Sequence, residues 1–297
     1  MVTALILPDV SVIIPTFNRA RKVARSISSV LDQTFTNYEI IIVDDGSSDG
    51  TANSLAQFKH NSKIKCLSHP KNLGVSAARN NGIMASRAPL LAFLDSDDYW
   101  LPEKLVVQVK FFRQNPKAVV CQTEEVWIRK GQRVNPRKKH RKPSGYIFKP
   151  SLKLCLVSPS AVMLKRSLLD EVGFFDEDLP VCEDYDLWLR ISSQYPIYLI
   201  DQNLAVKEGG DPDQLSSKHK GMDRFRIKAM MKLIRSGQLN EDQCQAVLQE
   251  LAIKCRIYGN GCIKRGKDEE GEFYLQLPEK VKKGISGDNR VDWYRLF

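Results

Sequence analysis

In the first third of the chain, short apolar runs alternate with longer segments whose apolar residues recur every three or four positions. The apolar runs VSVIIP, YEIIIVDD, IKCLSH and PLLAFLD predict strands, because runs of this length suit strands that are buried on both faces. The periodic segments between them predict amphipathic helices, the first of which Asn18 could cap. This alternation indicates an α/β fold with right-handed crossovers, a mainly parallel sheet and helices on both of its faces.

Polar residues follow three of these four strands directly. The first strand ends at PTFNR, the second at DDGSSDG and the fourth at DSDD. Ligands of such sheets bind beyond the carboxyl ends of the strands. We therefore expect the three polar clusters to converge on one crevice, which a single acidic loop would not indicate.

The fourth strand runs into three closely spaced carboxylates, Asp95, Asp97 and Asp98. Carboxylates packed this closely repel one another, and each favours protonation of the next. A hard divalent cation with oxygen ligands would relieve that repulsion. The alternative is a solvated acidic loop before the next helix, in which Pro102 can occupy the first turn.

Further along the chain, the pattern predicts a helix at LPEKLVVQVKFFRQNP, which AVVCQTEEVWI and the basic segment follow, and then a short strand at IYLI. From about Asp211 the sequence takes on helical periods, with Gly237 and Gly266 as plausible stops. We therefore predict an α/β domain over residues 1–210 and a small helical C-terminal region over residues 211–297.

The formal net charge of +10 favours acidic partners such as nucleic acid, anionic lipid head groups or phosphorylated substrates. This charge is uneven, because the segment from Arg129 to Lys149 is dense in Lys and Arg and contains no Asp or Glu. The segment is either a solvated loop or a flap that handles an anionic acceptor or a membrane surface.

The chain carries seven scattered cysteines without a CxxC pair, which favours free thiols in a reducing compartment. Cys255 and Cys262 lie two helical turns apart, as core thiols would. No apolar run approaches the roughly 20 residues that cross a bilayer, and the first residues lack the pattern of a signal peptide. We expect a cytoplasmic protein, peripheral at the inner face of the membrane if it meets one.

Five motifs in chain order carry a resemblance to a known family: VSVIIPTFNR, EIIIVDDGSSDGT, NLGVSAARNNGI, FLDSDDYWLPEKL and VGFFDEDLPVCEDYDLWLR. Together they resemble the inverting family-2 glycosyltransferases of the A-type fold, nucleotide-sugar enzymes that include the spore-coat SpsA type. The match covers roughly Val10 to Val206 and leaves the C-terminal region out. It implies a Rossmann-like domain that binds a nucleotide sugar, with a UDP-sugar as the first candidate for the donor.

The resemblance assigns donor-side roles to the first two strand ends. The backbone around Pro15 and Thr16 would border the nucleotide, and Phe17 would offer its ring to the base. Asp45 resembles the carboxylate that accepts a hydrogen bond from uracil, while Asp44 would stabilise the turn or assist.

The third and fourth motifs imply contacts with the phosphates and the ribose. Arg79 would approach the base or the phosphates, or would form a salt bridge to Asp44 or Asp45. Asp95 and Ser96 would lie against the ribose. Three residues would shape the floor of the site and start the next helix: Asp98, Tyr99 and Trp100.

The same resemblance gives Asp97 the role of metal ligand. It would hold Mn²⁺ or Mg²⁺ between the two phosphates, where the cation neutralises charge on the departing diphosphate. A haloacid-dehalogenase phosphatase also places DxD after a strand. In this chain, however, the Gly-Thr that follows it there is absent, and the motif is not the first in the chain.

The segment CEDYDLWLR supplies a second pair of carboxylates. Inverting transfer needs a general base, which the resemblance places on Asp184, with Glu183 as the fallback. Alternatively, the pair only favours the helix N-terminus electrostatically. Asp186 and Arg190 have the spacing of a structural i,i+4 ion pair. A late histidine is an extra metal ligand in some relatives, but a lone residue such as His219 in a basic stretch is more often solvated.

Three functions stay open at this point. The leading one is a metal-dependent inverting transferase that carries a sugar from a nucleotide-sugar donor to a saccharide or lipid-linked saccharide, as in cell-surface polysaccharide or glycoconjugate synthesis. The second is transfer to a polyprenyl phosphate. A nucleic-acid-binding protein is the non-enzyme alternative, but acidic strand ends would repel phosphate, and no helix-turn-helix, zinc or RNA-stacking signature occurs.

Overall fold

A computed structural model of the chain describes residues 7–135, 137–210, 219 and 221–285. Its strands are β1 (Val10–Thr16), β2 (Tyr38–Asp44), β3 (Ile64–Ser68), β4 (Leu90–Phe93), β5 (Tyr99–Trp100), β6 (Val120–Arg129), β7 (Gln132–Val134), β8 (Val162–Lys165) and β9 (Tyr198–Gly209). Its α-helices are α1 (Val23–Leu31), α2 (Thr51–Ala56), α3 (Val75–Ala85), α4 (Lys104–Gln114), α5 (Phe148–Lys153), α6 (Arg166–Val172), α7 (Glu183–Ser192), α8 (Asp223–Arg235), α9 (Glu241–Ile263) and α10 (Asp268–Ile285).

Among the described residues, the strands form one nine-stranded sheet in the order β3-β2-β1-β4-β8-β6-β9-β5, with β7 paired to β6. Strands β1 to β4 are parallel, and β6 and β9 run in the same direction because antiparallel β8 separates them from β4. The predicted α/β class with a mainly parallel sheet is confirmed. Since β1 pairs with both β2 and β4, the carboxyl ends of these three strands are neighbours.

The four strands and the helices predicted for the first third are present, with ends shifted by a few residues. The prediction that Asn18 caps the first helix is wrong, because α1 begins after Lys22 and the Asn18 side chain accepts a hydrogen bond from Ser48 N instead. Tyr99 and Trp100 do not start the next helix. They pair antiparallel with Val206 and Ala205 of β9.

The last strand is longer than the sequence predicts. IYLI was expected to end at Ile200, whereas β9 runs on to Gly209. The polar residues in its middle lie at a break in register between β6 and β9, where Thr123 pairs with Ile200 and Glu124 with Asn203. Such an irregularity tolerates polar residues that interrupt an apolar run.

The C-terminal helices α8, α9 and α10 share one apolar core with α5 and α7. Tyr185 and Leu189 of α7 are buried in this core together with Met230 of α8 and Val247 of α9. Gly237 and Gly266 both adopt positive φ just beyond the ends of α8 and α9, as predicted. The helical region therefore packs directly on the helix that begins with Glu183 and Asp184.

No described helix has both the length and the apolar composition to span a bilayer. All seven cysteines are free thiols. Cys255 and Cys262 are fully buried in the helical core, as their spacing predicts.

Candidate functional site

The polar ends of β1, β2 and β4 meet at one edge of the sheet. Asn18 N donates to Ser47 Oγ at 2.8 Å, which joins the loops after β1 and β2. Ser26 of α1 donates from its Oγ to the carbonyl oxygen of Asp98 at 2.6 Å, which ties the loop after β4 to the same helix. The three clusters are therefore linked at one edge of the sheet, as the strand order predicts, and we call the space that they border the crevice.

Three residues at the end of β1 border this crevice and differ in their burial. Pro15 and Thr16 are buried, whereas Phe17 is half-buried. The Oγ1 atom of Thr16 is buried and has no hydrogen-bond partner among the residues that the structure describes. Buried hydroxyls are normally paired, so this atom is one that a ligand could satisfy.

The carboxylate of Asp45 is buried and organises the loop that follows β3. One oxygen, Oδ1, lies 2.7 Å from His69 Nδ1 and accepts from Leu73 N at 2.8 Å. The other, Oδ2, accepts from Asn72 Nδ2 and from Gly74 N, both at 2.9 Å. These four contacts fill the acceptor positions of the carboxylate. Its neighbour Asp44 accepts only from Ser47 N among the side-chain contacts of the described residues.

The three carboxylates after β4 have different surroundings. Asp98 is buried, and accepts from Ser160 Oγ at 2.6 Å and from Glu208 N at 3.0 Å. Burial raises its pKa well above the ordinary value, and the charges of Asp97 and Asp95 raise it further against the opposing effect of Lys207. Asp98 therefore holds the loop against β9, in keeping with its predicted place in the floor of the site.

Asp97 is half-buried at the crevice, while its neighbour Ser96 is buried. Burial raises the pKa of Asp97, and so does the charge of Asp95, while Arg19 and Lys22 oppose the rise. A nearby cation would stabilise the ionised form of this carboxylate.

Arg79 joins two of the predicted clusters. Its Nη2 donates to Asp95 Oδ1 at 2.8 Å and its Nη1 donates to Glu183 Oε1 at 2.6 Å. The guanidinium is buried and lies 5.1 Å from the centre of the Phe175 ring. A salt bridge to Asp44 or Asp45, which the sequence left open, does not form. The reason is that α3 directs this side chain across the crevice toward β4 and α7.

The carboxylate pair stands at the start of α7, behind a sharp turn at Cys182, whose φ is 62°. Glu183 is buried, and burial followed by the charge of Asp184 raises its pKa to about 7, although Arg79 opposes this. Asp184 is half-buried. Its Oδ1 accepts from Tyr185 N at 2.7 Å, and its Oδ2 accepts from Cys155 Sγ at 3.5 Å. The predicted ion pair between Asp186 and Arg190 is present at 2.8 Å.

Lys207 of β9 brings a further charge to these residues. Burial opposes its positive charge, but four carboxylates outweigh that effect and raise its pKa: Glu125, Asp98, Asp95 and Asp184. The ammonium therefore stays protonated between the DSDD loop and the start of α7. Sequence reasoning missed this residue because it predicted only the beginning of β9.

Other contacts of the site were also missed. Ser160 supports both Asp95 and Asp98, yet nothing in its sequence surroundings sets it apart. His69 follows the third strand, so the rule that strand ends converge could have identified it. It links Asn81 to Asp45, because its Nε2 lies 3.0 Å from Asn81 Nδ2.

Asp97 is the one carboxylate that the sequence predicts as a ligand of a divalent cation. No group of three or more His, Cys, Asp or Glu residues that could hold a metal occurs among the described residues. Mg²⁺ sites commonly use one or two carboxylates, with the phosphates of the substrate and water as the other ligands. His219 packs edge-on against Phe225, with the ring centres 5.9 Å apart.

Comparison with known proteins identifies the family of the chain. The family model described as glycosyl transferase family 2 matches residues 11–173, which is more than half of the chain. An uncharacterized glycosyltransferase of Rickettsia conorii is 35% identical over 202 residues, 66% of this chain but only 32% of that protein. The matched region is thus about a third of that relative's length.

A shorter relative has a described activity. WfgD of Escherichia coli, a UDP-Glc:alpha-D-GlcNAc-diphosphoundecaprenol beta-1,3-glucosyltransferase, is 35% identical over 182 residues, 61% of this chain and 69% of that protein. Its identity is high enough to relate the two sequences, but its donor and acceptor are properties of WfgD.

Two solved structures share the fold over nearly the whole chain. The TarS fragment of S. aureus in complex with UDP-GlcNAc superposes with a TM-score of 0.67 at 17% identity, and covers 96% of this chain and 95% of its own. The mannosyltransferase PcManGT of Pyrobaculum calidifontis, in complex with GDP-Man and Mn²⁺, gives 0.65 at 16% identity and covers 98% and 78%. At this identity the likeness concerns the fold, which is the glycosyltransferase A-type. Because the family model covers more than half of the chain, the chain belongs to glycosyl transferase family 2.

Proposed function

We propose that this glycosyltransferase moves a sugar from a UDP-sugar to an acceptor hydroxyl with inversion, and that it uses a divalent cation held by Asp97. The observation that carries the proposal is the bridge through Arg79. One guanidinium contacts both Asp95, beside the predicted metal ligand, and Glu183, beside the predicted base. Donor and acceptor functions therefore have carboxylates on the two sides of one crevice.

On the donor side, Pro15, Thr16 and Phe17 border the nucleotide. The unpaired hydroxyl of Thr16 supports this assignment, because a ribose or base atom could satisfy it. Asp95 and Ser96 lie where a ribose would meet the DSDD loop. Arg79 would reach the phosphates from the floor of the crevice, and its buried Nε atom has no partner among the described residues.

The uridine assignment concerns Asp44 and Asp45. Uracil offers an imide N–H that a carboxylate can accept. Because both oxygens of Asp45 already accept two contacts each, a base reaches this carboxylate only if one of the present donors moves. Asp44 next to it keeps Oδ2 without a hydrogen bond from any described residue, and so can assist as the sequence predicts.

On the acceptor side, Asp184 is the general base. Its carboxylate is half-buried and therefore reachable, and its two contacts hold it in one orientation on a rigid helix. Glu183 is tied to Arg79 and buried, so it is less available to an incoming hydroxyl. Inverting transfer is a direct displacement: Asp184 takes the hydroxyl proton as the acceptor oxygen bonds to the anomeric carbon, and the bond from that carbon to the diphosphate oxygen breaks. When bound, a divalent cation held by Asp97 would supply Lewis-acid stabilisation of the leaving diphosphate.

The acceptor is a saccharide or a lipid-linked saccharide of cell-surface polysaccharide or glycoconjugate synthesis. WfgD, which is 35% identical over 182 residues, uses a diphosphoundecaprenol-linked sugar. The free cysteines fit a reducing compartment, and we place the enzyme in the cytoplasm, at the inner face of the membrane.

A thermal-shift panel of UDP-, GDP- and dTDP-sugars, with and without Mn²⁺, tests the donor assignment. Ligands that bind only the native state raise its melting temperature. We expect the largest rise with a UDP-sugar plus Mn²⁺, and slow release of UDP when water replaces the acceptor. If no nucleotide sugar stabilises the protein under any of these conditions, the proposed function is wrong.

A further inference from the structure

The surface beside the crevice carries an unusual cluster of cations, which we call the basic hairpin. It consists of the end of β6, strand β7 and the segment after it, residues 129–135 and 137–141. Its exposed cationic side chains are Arg129, Lys130, Arg133, Arg137, Lys138, Lys139 and Arg141. The sequence contains no Asp or Glu between Val126 and Leu169, so nothing nearby along the chain offsets this charge.

Within the described part of the chain, these seven side chains form no ion pair with a carboxylate. Some exposed cations elsewhere are paired, as Arg25 is with Glu208 at 2.6 Å and Lys149 with Asp242 at 2.7 Å. The hairpin differs in that seven exposed cations, which have no such pair among the described residues, lie close together along the chain. The ring of His140 packs against that of Trp127 at an interplanar angle of 58°, with the ring centres 5.2 Å apart. Burial lowers its pKa, as do the neighbouring charges of Lys139, Arg137 and Arg129, in agreement with a positive local potential.

The basic hairpin lies on the same edge of the sheet as the active site. Strand β6 pairs in parallel with β9 from Cys121–Tyr198 up to Arg129–Gly209, so the hairpin starts where β9 ends. Trp127 pairs with Lys207, and the charge of Lys207 acts on Asp98, Asp95 and Asp184 in the crevice. A surface held by the hairpin would therefore lie beside the acceptor side of the site.

We propose that the basic hairpin docks the enzyme on an anionic lipid surface, and so presents the crevice to an acceptor that is anchored in that surface. Charge complementarity carries the inference, because exposed Lys and Arg side chains add their attraction to anionic lipids over a Debye length. The exposed cations are spread over the end of β6, the turn after it, β7 and the segment 137–141, which suits an extended charged surface. The presentation of an anchored acceptor rests on the proposed function, whereas the docking on lipid does not.

Two other anionic partners fit the hairpin less well. Proteins that bind single-stranded nucleic acid combine cations with aromatic platforms for the bases. The described residues of the basic hairpin contain no Phe, Tyr or Trp, and the nearby Trp127 is half-buried against His140. A single phosphate ion would need donors that converge on one point, whereas these side chains are exposed along the hairpin.

The test is vesicle co-sedimentation with the full chain. Vesicles consist either of phosphatidylcholine alone or of equal parts phosphatidylcholine and phosphatidylglycerol. We expect binding to the anionic vesicles only, and loss of this binding when salt rises from about 0.1 M to about 1 M, because the Debye length falls from about 10 Å to about 3 Å. The proposal is overturned if the wild-type protein does not bind anionic vesicles or binds both kinds of vesicle equally.

Matched charge reversals locate the binding surface. The hairpin variant carries Arg133→Glu, Lys138→Glu and Lys139→Glu, and the control variant carries Lys59→Glu, Lys110→Glu and Lys117→Glu, all at exposed positions. Both variants lose the same net charge. The hairpin variant should bind anionic vesicles on the order of 100-fold more weakly, while the control stays within a few-fold of wild type. Equal losses in both variants would mean that net charge alone attracts the lipid.

Two further measurements separate this inference from the proposed function and from nucleic-acid binding. The UDP-sugar thermal shift of the hairpin variant should equal that of wild type, because none of its substitutions touches the donor site. Failure of vesicle binding with an intact thermal shift removes only the membrane inference. A single-stranded oligonucleotide that binds the hairpin more tightly than anionic vesicles at the same salt would assign this surface to nucleic acid instead.

Discussion

Arg79 donates from Nη1 to Glu183 Oε1 over 2.6 Å, a contact that joins the middle of α3 to the first residue of α7. Both side chains are buried, so their charges interact in a region of low dielectric. Burial nevertheless dominates for the acid, since the pKa of Glu183 is raised to about 7. Arg79 itself stays charged, because Asp95 and Glu183 together outweigh the cost of its burial.

This raised pKa of Glu183 predicts a pH dependence of stability. Between the ordinary pKa near 4.5 and the folded value near 7, the folded state binds more protons than the unfolded state. The free energy of unfolding should therefore fall as pH rises through this window and level off above it. Glu183→Gln removes the ionisation. Between pH 5 and pH 8, its free energy of unfolding should therefore fall by roughly 1–3 kcal/mol less than that of wild type.

Denaturant unfolding at several pH values measures this effect. Glu279→Gln is the control, since Glu279 is exposed and its side chain pairs with Lys282 at 3.1 Å on the surface of α10. It should retain the wild-type pH profile. If Glu183→Gln shows the same slope as wild type, Glu183 is ionised throughout and the Arg79 contact is a full ion pair.

Nucleotide binding should depend on Asp97. The Asp97 side chain lies in the loop after β4 and contributes little packing. Burial and the charge of Asp95 raise its pKa. Asp97→Asn should therefore leave the melting temperature unchanged or higher, and should abolish the Mn²⁺-dependent part of UDP binding. Calorimetry with and without Mn²⁺ makes the comparison, with Asp201→Asn on the exposed side of β9 as the control. Equal Mn²⁺-dependent affinity in wild type and Asp97→Asn would remove the metal assignment.

Alanine substitutions of the two carboxylates of VDDG should differ in their effects on stability and on UDP binding. Asp45→Ala leaves four donors around His69 and Gly74 without their acceptor, so we expect a loss of about 1–3 kcal/mol of stability together with weaker UDP binding. Asp44→Ala gives up one contact, with Ser47 N, and should cost less stability. Denaturant unfolding and UDP calorimetry of both variants test this.

If Asp44→Ala weakens UDP binding and Asp45→Ala changes only stability, the base contact belongs to Asp44. A wild type that prefers GDP- or dTDP-sugars would contradict the uridine assignment and leave the fold unaffected.

Local pattern was enough to predict the elements that flank the donor side. VSVIIP, YEIIIVDD and PLLAFLD are short and mainly apolar, and a buried parallel strand is the structure that such segments form most readily. The parallel order then brings Thr16, Asp44 and Asp95 to one edge without knowledge of any side-chain contact. Three of the five family motifs lie at these strand ends, whereas NLGVSAARNNGI covers most of α3 and VGFFDEDLPVCEDYDLWLR leads into α7.

Contacts between distant segments could not be predicted in this way. Arg79 is 104 positions from Glu183, and nothing in the spacing of SAARNNG or CEDYDLWLR shows that their side chains meet. Strand β5 has two residues and exists because β9 pairs with it, so its pattern alone looked like the start of a helix. Lys207 was missed with the second half of β9, whose polar residues interrupt the apolar run where the register shifts.

The last prediction concerns the general base, whose surroundings the structure specifies. Asp184 is half-buried at the start of α7, which is anchored by Tyr185 and Leu189 in the core shared with the C-terminal helices. Asp184→Asn keeps the shape and removes the basicity, so it should lower kcat by about 10²–10⁴-fold. UDP-sugar affinity should stay near the wild-type value, because the donor is held by the other clusters. Such a loss of turnover without a loss of donor binding is expected when an interaction is made mainly in the transition state.

The same measurement on Glu183→Gln decides between the two carboxylates. Glu183 is occupied by Arg79, so its amide variant should lose less turnover than Asp184→Asn. Cys155→Ala adds a graded control, because it removes the thiol that donates to Asp184 Oδ2 but leaves the carboxylate in place. We expect a loss well below that of Asp184→Asn, with Cys155→Ser restoring activity through its hydroxyl donor. Near-normal turnover in Asp184→Asn with collapse in Glu183→Gln would transfer the role to Glu183, and near-normal turnover in both would exclude α7 from the chemistry.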